Sequence, residues 1–140
     1  MTKAERRKKI AFLKGYKWIM LDLNADRERL DDMKDRVYSV RTPKLSDMPR
    51  GGRPVTMEDN VIDMIELEEY KIPNRKEEAE RMKRVIEQAI EDMEDPRDRT
   101  ILKLKFIHDY THEQIAEYIH YSTTQEYVFY NQALEHFVIP

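Results

Sequence analysis

Apolar side chains recur along the first 40 residues at the spacing of one face of a helix. They stand three, four or seven positions apart: Leu13, Tyr16, Met20, Leu23, Leu30 and Val37. Arg27 and Lys34 interrupt the row, which makes a long, stable coiled coil an unlikely reading of it. The pattern predicts an N-terminal helical arm over residues 1–40, either as one long helix or as two helices with a break near Asn24. The arm has two open roles, packing on its own domain and forming a dimer.

A second apolar pattern follows a segment with different composition. Residues 41–55 contain three prolines and the adjacent Gly51–Gly52, so they predict a loop or linker. Residues 56–94 predict two middle helices, the first opened by Thr56 and the second capped by Asn74 after a proline interrupts the chain. The apolar positions of the second helix are spaced for one face: Met82, Val85, Ile86, Ala89, Ile90 and Met93.

Residues 95–140 contain three helix start signals in succession. The signals are Asp95–Pro96, Thr111 with Gln114, and Ser122 with Gln125. Only the turn Ile119–Tyr121 separates the second predicted helix from the third. Three caps with a short turn are typical of a helix-turn-helix module, although a plain three-helix bundle would have the same caps.

No stretch of the sequence alternates like a strand, and none repeats. The predicted fold class is therefore all-α, with four parts in chain order. These are the N-terminal helical arm (1–40), the linker (41–55), the middle helices (56–94) and the helix-turn-helix module (95–140).

Composition and charge narrow the classes of function. The chain of 140 residues has 38% charged residues and a net charge of −3, but residues 1–50 have 14 Lys/Arg against 8 Asp/Glu. Positive charge is thus concentrated in the arm, while the module itself is slightly acidic. Cysteine is absent, which excludes disulfides and thiolate chemistry. The basic N-terminus is too charged for a signal peptide and no apolar run is long enough to span a membrane, so an intracellular protein is expected.

The residues that most often carry catalysis are not arranged for it. His108 and His112 are four positions apart, but a new helix begins between them, and no HExxH motif is present. Carboxylates are frequent in 58–94, where they alternate with Lys and Arg as surface ion pairs do. We expect no metal, no cofactor and no enzymatic activity.

If the last helix enters a major groove, its first turns must present the contacts to bases. Their residue types can read bases, since Gln pairs with adenine, Glu accepts from cytosine and a Thr methyl touches thymine. The candidates are Thr123, Thr124, Gln125, Glu126, Tyr127 and Tyr130, with Asn131 further along. The preceding helices are expected to hold the DNA backbone through Thr111 and His112 and through the cations Arg97, Arg99, Lys103 and Lys105, with further contacts from the basic arm. Ser122 opens the helix that is expected to read bases. Because Ser122–Leu134 contains no Lys or Arg, a lone module should bind weakly and require dimerisation or a polymerase partner.

Two segments of the module, Asp98–Phe106 and Tyr110–Ile119 followed by Tyr121–Ser122, resemble region 4 of sigma-70-type factors. Together with the upstream helices and the Pro/Gly segment Leu45–Gly52, the arrangement is similar to phage late-transcription regulators of the ArpU/RinA type. The resemblance implies an activator of phage or prophage late genes, acting on double-stranded DNA in the cytoplasm of a Gram-positive host. The candidate partners, RNA polymerase and a second copy of the chain, follow from the charge of the module and not from the resemblance. The departure from the family pattern is the lack of a basic residue within Thr123–Asn131.

Two classes of function remain open from the sequence. The first is a sequence-specific DNA-binding transcription regulator; a DNA-packaging subunit that binds as a ring is a less favoured variant. The second is a protein-interaction module with a sigma-like fold that docks on RNA polymerase or another protein without binding DNA. DNA binding predicts a contiguous positive face beside Thr123–Tyr127, built from the arm and from Arg97, Arg99, Lys103 and Lys105. Docking predicts an exposed apolar patch of Tyr127 and Tyr130 ringed by acid.

Overall fold

A computed structural model describes residues 1–38 and 57–140, and within these ranges the chain contains helices and no strand. The predicted all-α class is confirmed. The helices are α1 (Lys3–Leu13), α2 (Gly15–Tyr38), α3 (Met57–Glu66), a π-helical turn (Leu67–Lys71), α4 (Ile72–Glu91), α5 (Pro96–Phe106), α6 (His112–Ile119) and α7 (Thr123–His136). The predicted linker, with Gly51–Gly52 and the helix start at Thr56, lies outside the described residues. No helix in the described ranges is long and apolar enough to cross a membrane.

The N-terminal helices meet at Lys14, so neither predicted form of the arm is correct. A capping box of Thr2 and Glu5 opens α1, and Lys14 ends it. The α2 helix then begins at Gly15 and continues past Asn24 without a break. A Cβ atom at Gly15 would lie 3.5 Å from the sulfur of Met82, so this helix junction packs closely on α4.

The passage from α3 to α4 differs from the prediction of a break before a capping Asn74. The π-helical turn Leu67–Lys71 leads directly into α4, so Asn74 lies inside a continuous helix. Proline lacks an amide hydrogen and its ring clashes with the carbonyl four residues earlier. The wider π-helical turn ends at Lys71, directly before α4, and relieves this steric conflict at Pro73.

Two compact units divide the described chain, with boundaries inside α2 and α4. Unit 2 is residues 21–77, and its core consists of Leu30, Met33, Met64 and Leu67. Within it, the guanidinium of Arg75 pairs with Asp22 and, at 3.0 Å, with Asp26.

Unit 1 is residues 1–20 and 78–140, so it joins the first helix to the C-terminal module. Its core draws on α1, α4, α5, α6 and α7, and the fully buried side chains include Leu13, Ile86, Ile90, Ile101, Leu102, Ile115, Leu134 and Phe137. The buried carboxylate of Asp98 lies 2.7 Å from Nδ1 of His136 and joins the start of α5 to the end of α7. This hydrogen bond raises the pKa of His136 above its ordinary value of 6.5. All the residues of the site described below belong to unit 1.

Candidate nucleic-acid interface

The helices α6 and α7 form a helix–turn–helix pair whose start signals are those predicted from the sequence. The Thr111 hydroxyl accepts a hydrogen bond from the amide of Gln114, and the Gln114 side chain accepts one from the amide of Thr111. The Ser122 hydroxyl accepts from the amide of Gln125 and opens α7. Both hydroxyl oxygens, which we predicted to contact DNA, are thus engaged as acceptors in caps.

The turn between the two helices is closed by backbone hydrogen bonds. His120 adopts the left-handed conformation with φ of 61°, where most non-glycine residues are strained. The amide of Tyr121 donates to the carbonyl of Ala116 at 3.0 Å, which holds this reversal. Ala116 is buried, in keeping with its small side chain at the contact between helices.

One stripe of α7 faces solvent. Thr124, Tyr127, Val128 and Asn131 are exposed, and their spacing of three or four residues places them on one side of the helix. Thr123 and Gln125 are half-buried at the edges of this stripe. The exposed stripe therefore includes part of the predicted contact set and adds Val128 to it.

Two predicted base contacts, Glu126 and Tyr130, lie inside the protein. Glu126 has no exposed surface, and its carboxylate lies 2.8 Å from Nδ1 of His112. Burial raises the pKa of Glu126 above its ordinary value of 4.5, while the hydrogen bond with His112 acts in the opposite direction. Tyr130 packs with Phe106 in the core, and burial raises the pKa of its phenol. Neither side chain is available to a base, because both occupy the inward face of α7.

His112, predicted to hold the DNA backbone, joins this buried group from the first position of α6. Its ring centroid lies 4.1 Å from that of Tyr127 and 4.7 Å from that of Tyr130. The imidazole thus connects the start of α6 with the middle of α7. Its position supports the orientation of Tyr127, whose side chain is still 44% exposed.

The predicted row of cations on α5 is largely engaged within the protein. Arg97 lies over the ring of Phe129 at 4.1 Å and donates to the side chain of Gln132. Arg99 donates to the carbonyls of Met93 and Glu94. Lys103 pairs with Glu91.

Lys105 is placed differently from these three residues. Its ammonium lies 3.5 Å from a backbone carbonyl, that of Tyr110. Of the four predicted cations of α5, Lys105 has the weakest intramolecular contact at this distance.

Sequence reasoning did not foresee that α1 packs along α7. Arg6 donates to the side chain of Asn131 at 2.5 Å, Lys9 donates to the carbonyl of Leu134 at 2.9 Å, and the ring of Phe12 stacks on that of Phe137. Each pair is 125 positions apart, so α1 and α7 run in the same direction in a constant register. No local pattern could reveal this pairing, although the basic row of α1 was visible.

In this register the exposed cations of α1 lie beside the middle and the C-terminal half of α7, since Arg7 is level with Gln132 and Lys8 with Ala133. The side chains of Lys3, Arg7 and Lys8 are exposed, and none of them forms a hydrogen bond or ion pair with any residue in the described ranges. Continuing the register places Lys3 level with Val128. A basic helix therefore lies beside the exposed stripe of α7 from Val128 to Asn131, and α7 itself contains no Lys or Arg.

Metal coordination has no geometric basis in the described part of the chain. No group of three or more His, Cys, Asp or Glu side chains there converges as metal ligands would.

The chain belongs to the DUF1492 family, whose model matches residues 39–137 and carries the description "Protein of unknown function". No curated protein and no solved structure matches the chain.

Proposed function

We propose that this member of the DUF1492 family is a sequence-specific DNA-binding transcription regulator. The observation that carries the proposal is the placement of the basic helix α1 beside the exposed stripe of α7. A helix–turn–helix pair supplies the element that enters a major groove, and nearby cations supply affinity for phosphates. Here the two requirements are met by segments from opposite ends of the chain.

The exposed stripe of α7 is assigned to reading bases. Thr124 can touch a thymine methyl, and Asn131 can pair with adenine once it is released from Arg6. Tyr127 can contact a phosphate or pack on a sugar through its exposed edge. Glu126 is assigned to positioning, because its buried carboxylate holds His112 at the contact between the two helices.

The free cations of α1 are assigned to the DNA backbone. Residues 1–20 have 7 Lys/Arg and one Glu, whereas residues 96–140 have 4 Lys/Arg and 6 Asp/Glu. The backbone contacts that we expected from α5 therefore come mainly from α1. Phosphate contacts position a protein on DNA, and base contacts specify the sequence.

The resemblance to ArpU/RinA-type regulators extends this proposal to a biological role. We propose that the chain activates late genes of a phage or prophage, with RNA polymerase and a second copy of the chain as partners. The resemblance of residues 98–122 to sigma region 4 supports RNA polymerase as a partner, because region 4 of a sigma factor acts together with RNA polymerase.

A second candidate function is docking on a protein through the same module. Tyr118, Tyr121, Tyr127 and Val128 are exposed on α6, α7 and their turn, and aromatic side chains are enriched in protein interfaces. The patch differs from the one predicted, since Tyr130 is buried. The same exposed stripe cannot serve both functions at once.

Titration of labelled DNA fragments tests the first function against the second. Fragments tiled around the gene that encodes the chain are mixed with the full-length protein at two salt concentrations, in an excess of unrelated competitor DNA. We expect one fragment to be retained, with weaker binding at the higher salt concentration. Failure to bind any fragment at low salt would reject autonomous DNA recognition and favour docking.

A further inference from the structure

A cavity of about 270 Å³ opens in unit 1 beside the candidate interface. Four cations line it: Arg6 of α1, Lys14 at the helix junction, Lys17 of α2 and Lys105 of α5. Asp109 contributes a carboxylate to the same lining. Positive charge is therefore concentrated at this cavity in a chain whose net charge is −3.

The positive charges of this cavity have little internal compensation. The side chain of Lys14 forms no hydrogen bond or ion pair with any described residue. Arg6 and Lys105 contact neutral acceptors, the amide oxygen of Asn131 and a backbone carbonyl. Lys17 pairs with Asp109 at 3.1 Å, but both side chains are exposed to solvent, which weakens such a pair. An anion that entered the cavity would therefore meet several available cations.

The shape and donors of the cavity favour a phosphate group. His112, Tyr127 and Tyr130 add an imidazole and two phenols to the lining, and Ile10 and Phe106 complete it with apolar surface. A phosphate group offers several acceptor oxygens with up to two negative charges, which suits converging cations. A single carboxylate is satisfied by one arginine. The volume is smaller than the roughly 300–1,000 Å³ of pockets for drug-sized ligands, so it suits a small group.

We infer that this cavity binds a phosphate group, supplied either by the DNA backbone or by a free phosphorylated ligand. The first source rests on the proposed function, whereas the second does not require it. In both cases Lys14 and Lys105 are the central ligands, because neither side chain forms an ion pair with an acidic residue in the described part of the chain.

Pyrophosphate is the probe for this site, used with full-length protein and followed by amide chemical shifts and calorimetry. We expect shifts centred on Lys14, Lys105 and His112. The variants Lys14→Ala and Lys105→Ala should each weaken binding at least fivefold. Lys76→Ala, which removes the same charge from an exposed position on α4, should leave the affinity unchanged. Far-ultraviolet circular dichroism confirms that each variant is folded.

The inference would be overturned by pyrophosphate shifts elsewhere, by no binding, or by equal effects of all three variants. Equal binding of succinate would also reject the phosphate assignment in favour of a general anion site. Duplex DNA then identifies the source of the phosphate. Displacement of pyrophosphate by the duplex indicates a backbone phosphate. Simultaneous binding, or a protein that binds pyrophosphate and no duplex, indicates a free phosphorylated ligand and, in the latter case, refutes only the proposed function.

Discussion

The carboxylate of Glu126 lies inside the protein, 2.8 Å from the imidazole of His112, although its position near the start of α7 suits a base contact. The type of a residue and its position along a helix do not decide which way it faces. Tyr130, four positions further on, shares the same inward face. At the scale of single residues, the interface therefore depends on Thr124, Tyr127 and Asn131.

The buried Glu126 makes stability depend on pH. A carboxyl whose pKa is raised by folding stabilises the fold in its protonated form. This contribution is fully present below the ordinary pKa of 4.5 and is lost as the pH rises through the raised pKa. Glu126→Gln removes this titration. We expect the free energy of unfolding of the native protein to fall relative to that of the variant as the pH rises from 4.5 to 8.

Urea unfolding at several pH values measures this difference. The control is Glu117→Gln, at an exposed position on α6, for which the difference from the native protein should stay flat. A difference for Glu126→Gln that is constant with pH would contradict the argument.

Thr124 provides a test of base reading at the residue scale. Its side chain is exposed on the second residue of α7, where a recognition helix meets base edges. Thr124→Ala should reduce the preference for the retained fragment over competitor DNA by about 1–3 kcal/mol, with little change in competitor binding. Competition titrations give both quantities. Glu135→Gln, exposed at the other end of the same helix, should keep the preference, and an equal loss in both variants would exclude a specific role for Thr124.

At the scale of elements, α1 is part of the core of the C-terminal module. Leu13 at its end is fully buried together with residues of α4, α5, α6 and α7. The hydrogen bonds of Arg6 and Lys9 fix the helix along α7. The sequence left two roles open for the arm, packing on its own domain and forming a dimer. Its first helix, α1, packs on its own domain, and the candidate interface is incomplete without this helix.

Leu13→Ala should accordingly destabilise unit 1. Removal of a fully buried leucine side chain costs about 2–5 kcal/mol. The measurement is denaturant unfolding followed by the fluorescence of Trp18 and by circular dichroism. Leu21→Ala, at an exposed position on α2, should change the free energy by about 0.5 kcal/mol or less. If Leu13→Ala had an equally small effect, α1 would not contribute to the stability of unit 1 in solution.

At the scale of the whole molecule, the net charge of −3 conceals an uneven distribution. Unit 1 has 14 Lys/Arg and 14 Asp/Glu, yet residues 1–20 alone contain 7 of these cations and one acid. The electrostatic attraction of DNA depends on this local excess, because charges farther apart than about 10 Å are screened at 0.1 M salt. A negative net charge is thus compatible with binding to nucleic acid.

Removing free cations from α1 should lower the salt dependence of DNA binding. Arg7 and Lys8 are exposed and unpaired within the described residues. The double variant Arg7→Ala with Lys8→Ala should weaken binding to all fragments about equally and reduce the slope of log K against log salt concentration by about two.

Arg81→Ala with Arg84→Ala removes the same charge from exposed positions on α4 and is the matched control. Its salt dependence should equal that of the unchanged protein. Identical reductions in the two double variants would show a diffuse attraction without a role for α1.

The sequence by itself determined the features that depend on near neighbours in the chain. Thr111 and Ser122 cap their helices through amides three positions away, so their roles follow from local spacing. The all-α class and the buried stripe of Ile86, Ala89 and Ile90 follow from helical periodicity in the same way.

Only the tertiary structure decided which side chains remain available. The pairing of α1 with α7 joins residues 125 positions apart. Lys103, one of the cations predicted to contact DNA, forms an ion pair with Glu91 instead. The inward orientation of the Glu126 side chain depends on the packing of α6 against α7. Such contacts arise when apolar faces from distant segments are buried together, and no local pattern encodes their register. The candidate interface is therefore built on helices that the sequence predicts and is completed by a helix whose position only the fold reveals.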